Sequence, residues 1–188
     1  LTLFCCQILG CVKRVIETKL EDYLIVGQRY TIEINELLNF KDTCWANNLK
    51  KIILQEDKSI DTPTAIDYFV FPIDKIDMPD FAIGRTIWDN WILWDAKARG
   101  AILIDATNNI TAIHQKHDYS HIKGGEENAW KVEESMENLK VTGGYQCMCN
   151  ILDSTHLLKD NKILPAMTPK YLYRKMYQLL RKIKHKII

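Results

Sequence analysis

Apolar positions along the chain follow two rhythms that alternate. Val12, Val15, Ile16 and Leu20 keep helical spacing, and Leu24-Ile25-Val26-Gly27 follows as a short apolar run closed by glycine. The pair reads as a helix leading into a buried strand. Residues 40–57 return to helical spacing, with Trp45, Leu49, Ile52 and Ile53 on one side of an exposed helix. Ala65–Pro72 (AIDYFVFP) is aromatic and β-branched, so it predicts a strand stopped by Pro72. Met78-Pro79-Asp80 marks a turn. A helix opens at or beside Asp89, runs through Trp91, Leu93 and Trp94 to Arg99, and ends at Gly100. Ala101–Asp105 (AILID) is a second buried strand.

Helix, strand, helix, strand, helix, strand predicts an α/β layer fold with a mixed, largely parallel sheet flanked by helices. Residues 107–150 hold Asn, His, Gly and Glu without a steady period and predict a long polar loop after a central strand. Lys170–Ile188 predicts a closing helix, because Leu172, Met176, Leu179, Leu180, Ile183 and Ile187 fall on one stripe. The expected organisation is one α/β domain over residues 1–169 and a basic amphipathic helix over 170–188.

Composition narrows the class. At 188 residues with 47% hydrophobic and 26% charged, the chain is neither disordered, collagenous nor a coiled coil. No window is apolar enough to predict a spanning helix. A formal net charge of +1 argues against a nucleic-acid partner. That balance hides an asymmetry: residues 170–188 carry seven Lys/Arg and no Asp/Glu, leaving 18 basic against 24 acidic groups elsewhere. An acidic body with a basic tail suggests a separate partner for the tail, such as an anionic membrane surface, against the plainer reading of a solvated helix face.

The first residue is Leu1, and its apolar stretch precedes Lys13 and Arg14 instead of following cations, which is the wrong order for an export signal. The expected location is cytoplasmic, peripheral at the membrane where the tail engages it. Six cysteines in a chain of this size fit reduced thiols better than a disulfide framework, and Cys147-Met-Cys149 is too tight for a usual zinc pair.

Two constellations carry candidate chemistry. His114-Gln-Lys-His117-Asp118-Tyr-Ser-His121 gathers three imidazoles and a carboxylate just past a predicted strand, where α/β sheets bind ligands. Such a set suits a divalent metal; the alternative is a polar loop whose histidines bind backbone. In Trp88-Asp89-Asn90-Trp91, tryptophans flank an acid at a helix start. Asp89 is either a helix cap or a carboxylate whose pKa is raised for general-base work. Trp88 and Trp91 offer apolar faces of the kind that stack on sugars. Asp67, at the entry to the Tyr68–Phe71 run, needs a partner if buried. Arg85 can hold a phosphate or pair with a carboxylate. Walker A, G-x-G-x-x-G, G-x-S-x-G and H-E-x-x-H patterns are all absent.

The segments Leu24–Tyr30 (LIVGQRY), Ile66–Pro72 (IDYFVFP), Pro79–Trp94 (PDFAIGRTIWDNWILW), Ile104–Thr107 (IDAT) and Thr111–His121 (TAIHQKHDYSH) resemble, in this order, a group of bacterial glycosyltransferase-like proteins. These are described as nucleotide-diphospho-sugar transferase-like, with a GT-A fold. The resemblance covers roughly residues 12–170. It implies a Rossmann-like domain that transfers a sugar, in the manner of a hexosyltransferase, from a nucleotide-sugar donor to a glycan or lipid-linked acceptor. It also implies a divalent metal, manganese or magnesium, bridging the diphosphate. By that analogy Asp89 is the catalytic base, and Trp88, Trp91, Arg85 and Asp67 contact substrate. His114, His117, Asp118 and His121 meet the metal.

The chain departs from the pattern in one respect. GT-A enzymes carry a D-x-D-like motif in their first half, and this sequence has none. Where similar proteins place an acidic strand-ending segment, it has Leu1–Gly10 without a carboxylate. The expectation is therefore the C-terminal portion of a GT-A fold, incomplete at the N-terminus, or a GT-A fold whose start has diverged. Two other function classes stay open: a metal-dependent hydrolase or phosphoesterase built on the His114–His121 cluster, and a non-catalytic remnant or binding module.

Overall fold

The apolar run at Leu24 does not stop at its glycine. In the computed structural model, which describes residues 2–3, 5–55, 59–116, 120 and 125–187, it belongs to a ten-residue strand. The elements in chain order are β1 (Thr2–Leu3), α1 (Cys5–Glu17), β2 (Tyr23–Ile32), α2 (Trp45–Gln55), β3 (Ile66–Val70), α3 (Trp88–Arg99), β4 (Ile102–Asp105), β5 (Ala112–Gln115), α4 (Glu133–Val141), β6 (His156–Lys159), β7 (Lys162–Pro165) and α5 (Pro169–Ile187). Together they make an α/β fold with one mixed open sheet, parallel at its centre.

β2 is the axis of that sheet. Its first half runs parallel to β4, with Tyr23 opposite Ile102 and Val26 opposite Asp105. Its second half runs parallel to β5, with Arg29 opposite Ala112 and Thr31 opposite His114. β6 continues the parallel pairing beyond β4. The antiparallel pairings lie around this centre: β3 on β2, β1 on β5, and β7 on β6.

Alternation along β2 divides the core between the two faces of the sheet. Leu24 and Val26 meet Trp91, Ile92, Leu93 and Ala96 of α3. Ile25 meets Cys11 and Val15 of α1, with Tyr68 and Ile104. Ile32 and Ile113 form a third cluster with Leu49 and Ile53 of α2. Gly27 is required by close approach: a Cβ there would lie 1.9 Å from the Tyr68 hydroxyl oxygen.

Several expectations are corrected in detail. α1 begins at Cys5, so most of Leu1–Gly10 is helix and not a strand-ending segment. Residues 107–150 are not one loop, for they contain β5 and α4. β5 has four residues and no internal signal; it is a strand because β1 and β2 flank it. The β6–β7 hairpin was not expected. Its turn residues Asp160 and Asn161 both take positive φ (49° and 58°), the geometry of the tight turns that match strand twist. α5 is helical as expected but keeps its apolar stripe exposed.

Candidate functional site

Four elements bring polar groups to the carboxyl ends of the central parallel strands. β3 runs antiparallel to β2, so its first residues lie beside the second half of β2. The pairing there is irregular: Gly27 faces Tyr68, but the next residue, Gln28, faces Ile66. Asp67 is thus the extra residue of a β-bulge, a device that re-aims a side chain.

The Asp67 carboxylate is held from two sides. The guanidinium of Arg29 donates through Nη1 to Oδ1 at 2.6 Å, and Nδ1 of His114 lies 2.8 Å from Oδ2. Arg29 also donates through Nε to Asp61 Oδ2 at 3.0 Å, and the Thr31 hydroxyl donates to the same oxygen at 2.6 Å. The Asp61 segment is tied to β2 by its backbone, since the Asp61 N–H reaches the Arg29 carbonyl at 3.0 Å. Burial pushes the Asp67 carboxyl up, but the hydrogen bonds from His114 and Arg29 and the charge of Arg29 outweigh it, and the group sits below its usual range.

Asp89 approaches the same network from the head of α3. It does not cap the helix from the flanking position: that place is Ile87, which makes no side-chain cap and has φ of 94°. Positive φ is a strained conformation for a β-branched residue. Asp89 stands inside the first turn, where its Oδ1 accepts the Asn90 N–H at 2.9 Å. It keeps a partly exposed surface, yet burial pushes its carboxyl up to about 6. The Asn90 N–H opposes that rise, and the nearby charges of Asp67 and Arg29 act in opposite directions on it.

The strained loop before Asp89 is fixed by α4. Asn138, fully buried, accepts the Ala82 N–H at 2.9 Å and donates to the carbonyls of Ala82 at 3.2 Å and Thr86 at 3.0 Å. Behind Asp89, Asn90 donates to the Cys149 carbonyl at 3.0 Å, and the Cys149 N–H returns to the Asn90 carbonyl at the same distance. These buried amides over-determine a turn that its own φ angles disfavour.

The other expected site residues are placed differently. Trp88 packs its ring on Phe69 at 5.4 Å between centroids. Trp91 is 7% exposed and lies edge-on to Phe81 at 5.2 Å, so its ring belongs to the core. Arg85 turns to Glu134 of α4, 3.5 Å away. His114 sits in β5, not in a loop, and faces Asp67. His117, Asp118 and His121 lie outside the described residues. Among the described residues no three His, Cys, Asp or Glu side chains come together as a metal shell. Asp67 is engaged by both Arg29 and His114.

Sequence reasoning linked neither Asp67 to His114 nor either to Arg29, and it missed Asp61 and Thr31. One signal was legible: Arg29 sits in a run whose neighbours Tyr30 and Ile32 predict strand, and a charge within a central strand demands a counter-ion.

A separate cavity of 340 Å³ opens between the loop after β2 and α2, lined by Glu33, Glu36, Asp42, Trp45 and Leu49 among others. Three carboxylates on its wall would repel a diphosphate. The described cysteines Cys11, Cys44, Cys147 and Cys149 are free thiols. Burial pushes Cys149 up to about 12, so that thiol is inert as a nucleophile.

Comparison with protein-family models, with curated proteins and with solved structures finds no match for this chain.

Proposed function

We propose that the chain is a glycosyltransferase-like domain of GT-A type, which moves a sugar from a nucleotide-diphospho-sugar to a hydroxyl of a glycan or lipid-linked acceptor. One observation carries the reading: Asp89 stands partly exposed at the head of a strained helix start with its carboxyl raised to about 6. A carboxylate so tuned is ionised at neutral pH and still basic enough to take a proton in a transition state. In the proposed step Asp89 accepts the acceptor hydroxyl proton. The acceptor oxygen bonds to the anomeric carbon, and the bond from that carbon to the diphosphate oxygen breaks, its electron pair leaving with the nucleotide.

Supporting roles follow from the neighbours. Arg29, balanced by Asp61 and Asp67, holds positive charge beside Asp89 and limits the rise of its carboxyl. His114 orients Asp67. The location agrees with the rule that open α/β sheets bind ligands at the carboxyl ends of their strands. The resemblance calls for a divalent metal, and its candidate ligands His117, Asp118 and His121 lie outside the described residues, so no part of this step depends on it.

The test is release of nucleoside diphosphate from a panel of labelled nucleotide sugars, with water or a hydroxylic acceptor and with manganese present or absent. Turnover should rise with pH through about 6, as Asp89 ionises. Asp89→Asn should lower it by about 10²–10⁴-fold, with nucleotide binding by calorimetry unchanged. An Asp89→Asn protein that turns over like the parent would overturn the assignment of the base. Failure of every nucleotide to bind would overturn the transferase reading itself.

A further inference from the structure

α5 docks on the body with its polar side. Tyr171 is 1% exposed and donates its hydroxyl to the buried carboxylate of Asp105. One turn on, Arg174 reaches Asp153 Oδ2 through Nη2 at 2.8 Å and Nε at 3.1 Å, and that carboxylate is itself 1% exposed. Gln178 and Arg181 continue the same partly buried side.

The opposite side is apolar and bare. Leu172, Tyr173, Met176, Leu179, Leu180 and Ile183, with Tyr177, are between 42% and 67% exposed. At 3.6 residues per turn they cover an arc of roughly 160°. That is wider than the narrow seam of a two-stranded coiled coil. Among the described residues this arc stays open, because the helix is held to the body by the ion pair and hydroxyl on its far side.

The charges decide what the arc meets. Residues 170–188 carry seven Lys/Arg and no acid. A second copy of this helix would set cation against cation without a counter-charge, which disfavours self-pairing. A wide apolar arc with two tyrosines, on a helix rich in cations, is the pattern of a helix lying in a lipid interface.

We propose that α5 is an interfacial helix, which lays its exposed apolar face into an anionic lipid surface while Arg174 and Tyr171 hold it to the body. The proposal is independent of the sugar-transfer reading, since it uses none of the residues of that site.

The experiment is vesicle flotation of the full chain, using phosphatidylcholine vesicles with and without phosphatidylglycerol. Binding should require phosphatidylglycerol and weaken by about tenfold or more from low to high salt. Leu179→Glu should abolish it while leaving the circular dichroism spectrum unchanged, because Leu179 touches solvent and not the core. Flotation that persists unchanged in Leu179→Glu, or no flotation at all, would overturn the proposal. So would a dimer in light scattering that Leu179→Glu dissolves, which would assign the arc to a second copy. Retention on soluble polyglutamate without flotation would also overturn it, in favour of an acidic protein partner.

Discussion

α3 and α5 are the two helices that the sequence marks most clearly, and the fold uses them in opposite ways. α3 has no pronounced apolar side, yet Asn90, Trp91, Ile92, Leu93 and Ala96 are all buried. It lies over β2 and β4, and its one buried polar side chain, Asn90, donates to the Cys149 carbonyl. α5 has the strongest stripe among the described helices and leaves that stripe in solvent. Periodicity establishes that a segment is helical; it does not say which side meets the protein. A mixed helix in the middle of an α/β unit is buried from several directions. A strongly amphipathic one at the margin can face a surface that is not protein at all.

Four substitutions sharpen or break this contrast. Trp91→Ala empties a core position bounded by Phe81 and Trp94 and should cost about 3–5 kcal/mol in denaturant unfolding; a cost below about 1 kcal/mol would mean α3 is not the keystone of its face. Asp89→Asn should do the reverse and stabilise. The folded carboxyl is raised to about 6 from 3.8, so the folded state binds more protons than the unfolded chain between those values. The ionised group therefore burdens the fold above about pH 6. The substitution should gain up to about 3 kcal/mol at neutral pH, fading below about pH 4.

Arg174→Met leaves Asp153 with Lys97 at 3.3 Å as its remaining cation and should cost about 2 kcal/mol. Burial raises the Asp153 carboxyl, but Arg174 and the Asn150 N–H lower it further, so its net shift is downward. That stabilisation is present at neutral pH and is lost as pH falls through the depressed value. The loss should begin at higher pH in Arg174→Met, which acid unfolding followed by circular dichroism will read. Leu179→Ala completes the series with a change within about 0.5 kcal/mol, because its side chain is 59% exposed.

Much of this arrangement was legible in the sequence. Gly100 stops α3 with φ of 86°, as a glycine just past a helix should. The strand at Ile66–Val70 and the helix at Trp45–Gln55 fall within their expected ranges. What was not legible came from tertiary pairing. β5 is a strand only because its neighbours supply the ladder, and Asp67 meets His114 only through a bulge that no local pattern announces. Trp91 looked like a ligand-facing ring, since Asp89 is its near neighbour. A helix turns by 100° per residue, so two residues separate the half-buried Asp89 from a core tryptophan.

The central claim is that the head of α3 holds a carboxyl poised for proton transfer. Titration of the Asp89 side-chain carboxyl by carbon NMR in the full chain, with Asp89→Asn to identify its signal, tests this most directly. The expected midpoint is about 6. A midpoint near the ordinary value for aspartate, about 4, would contradict it and remove the ground on which Asp89 is read as a base.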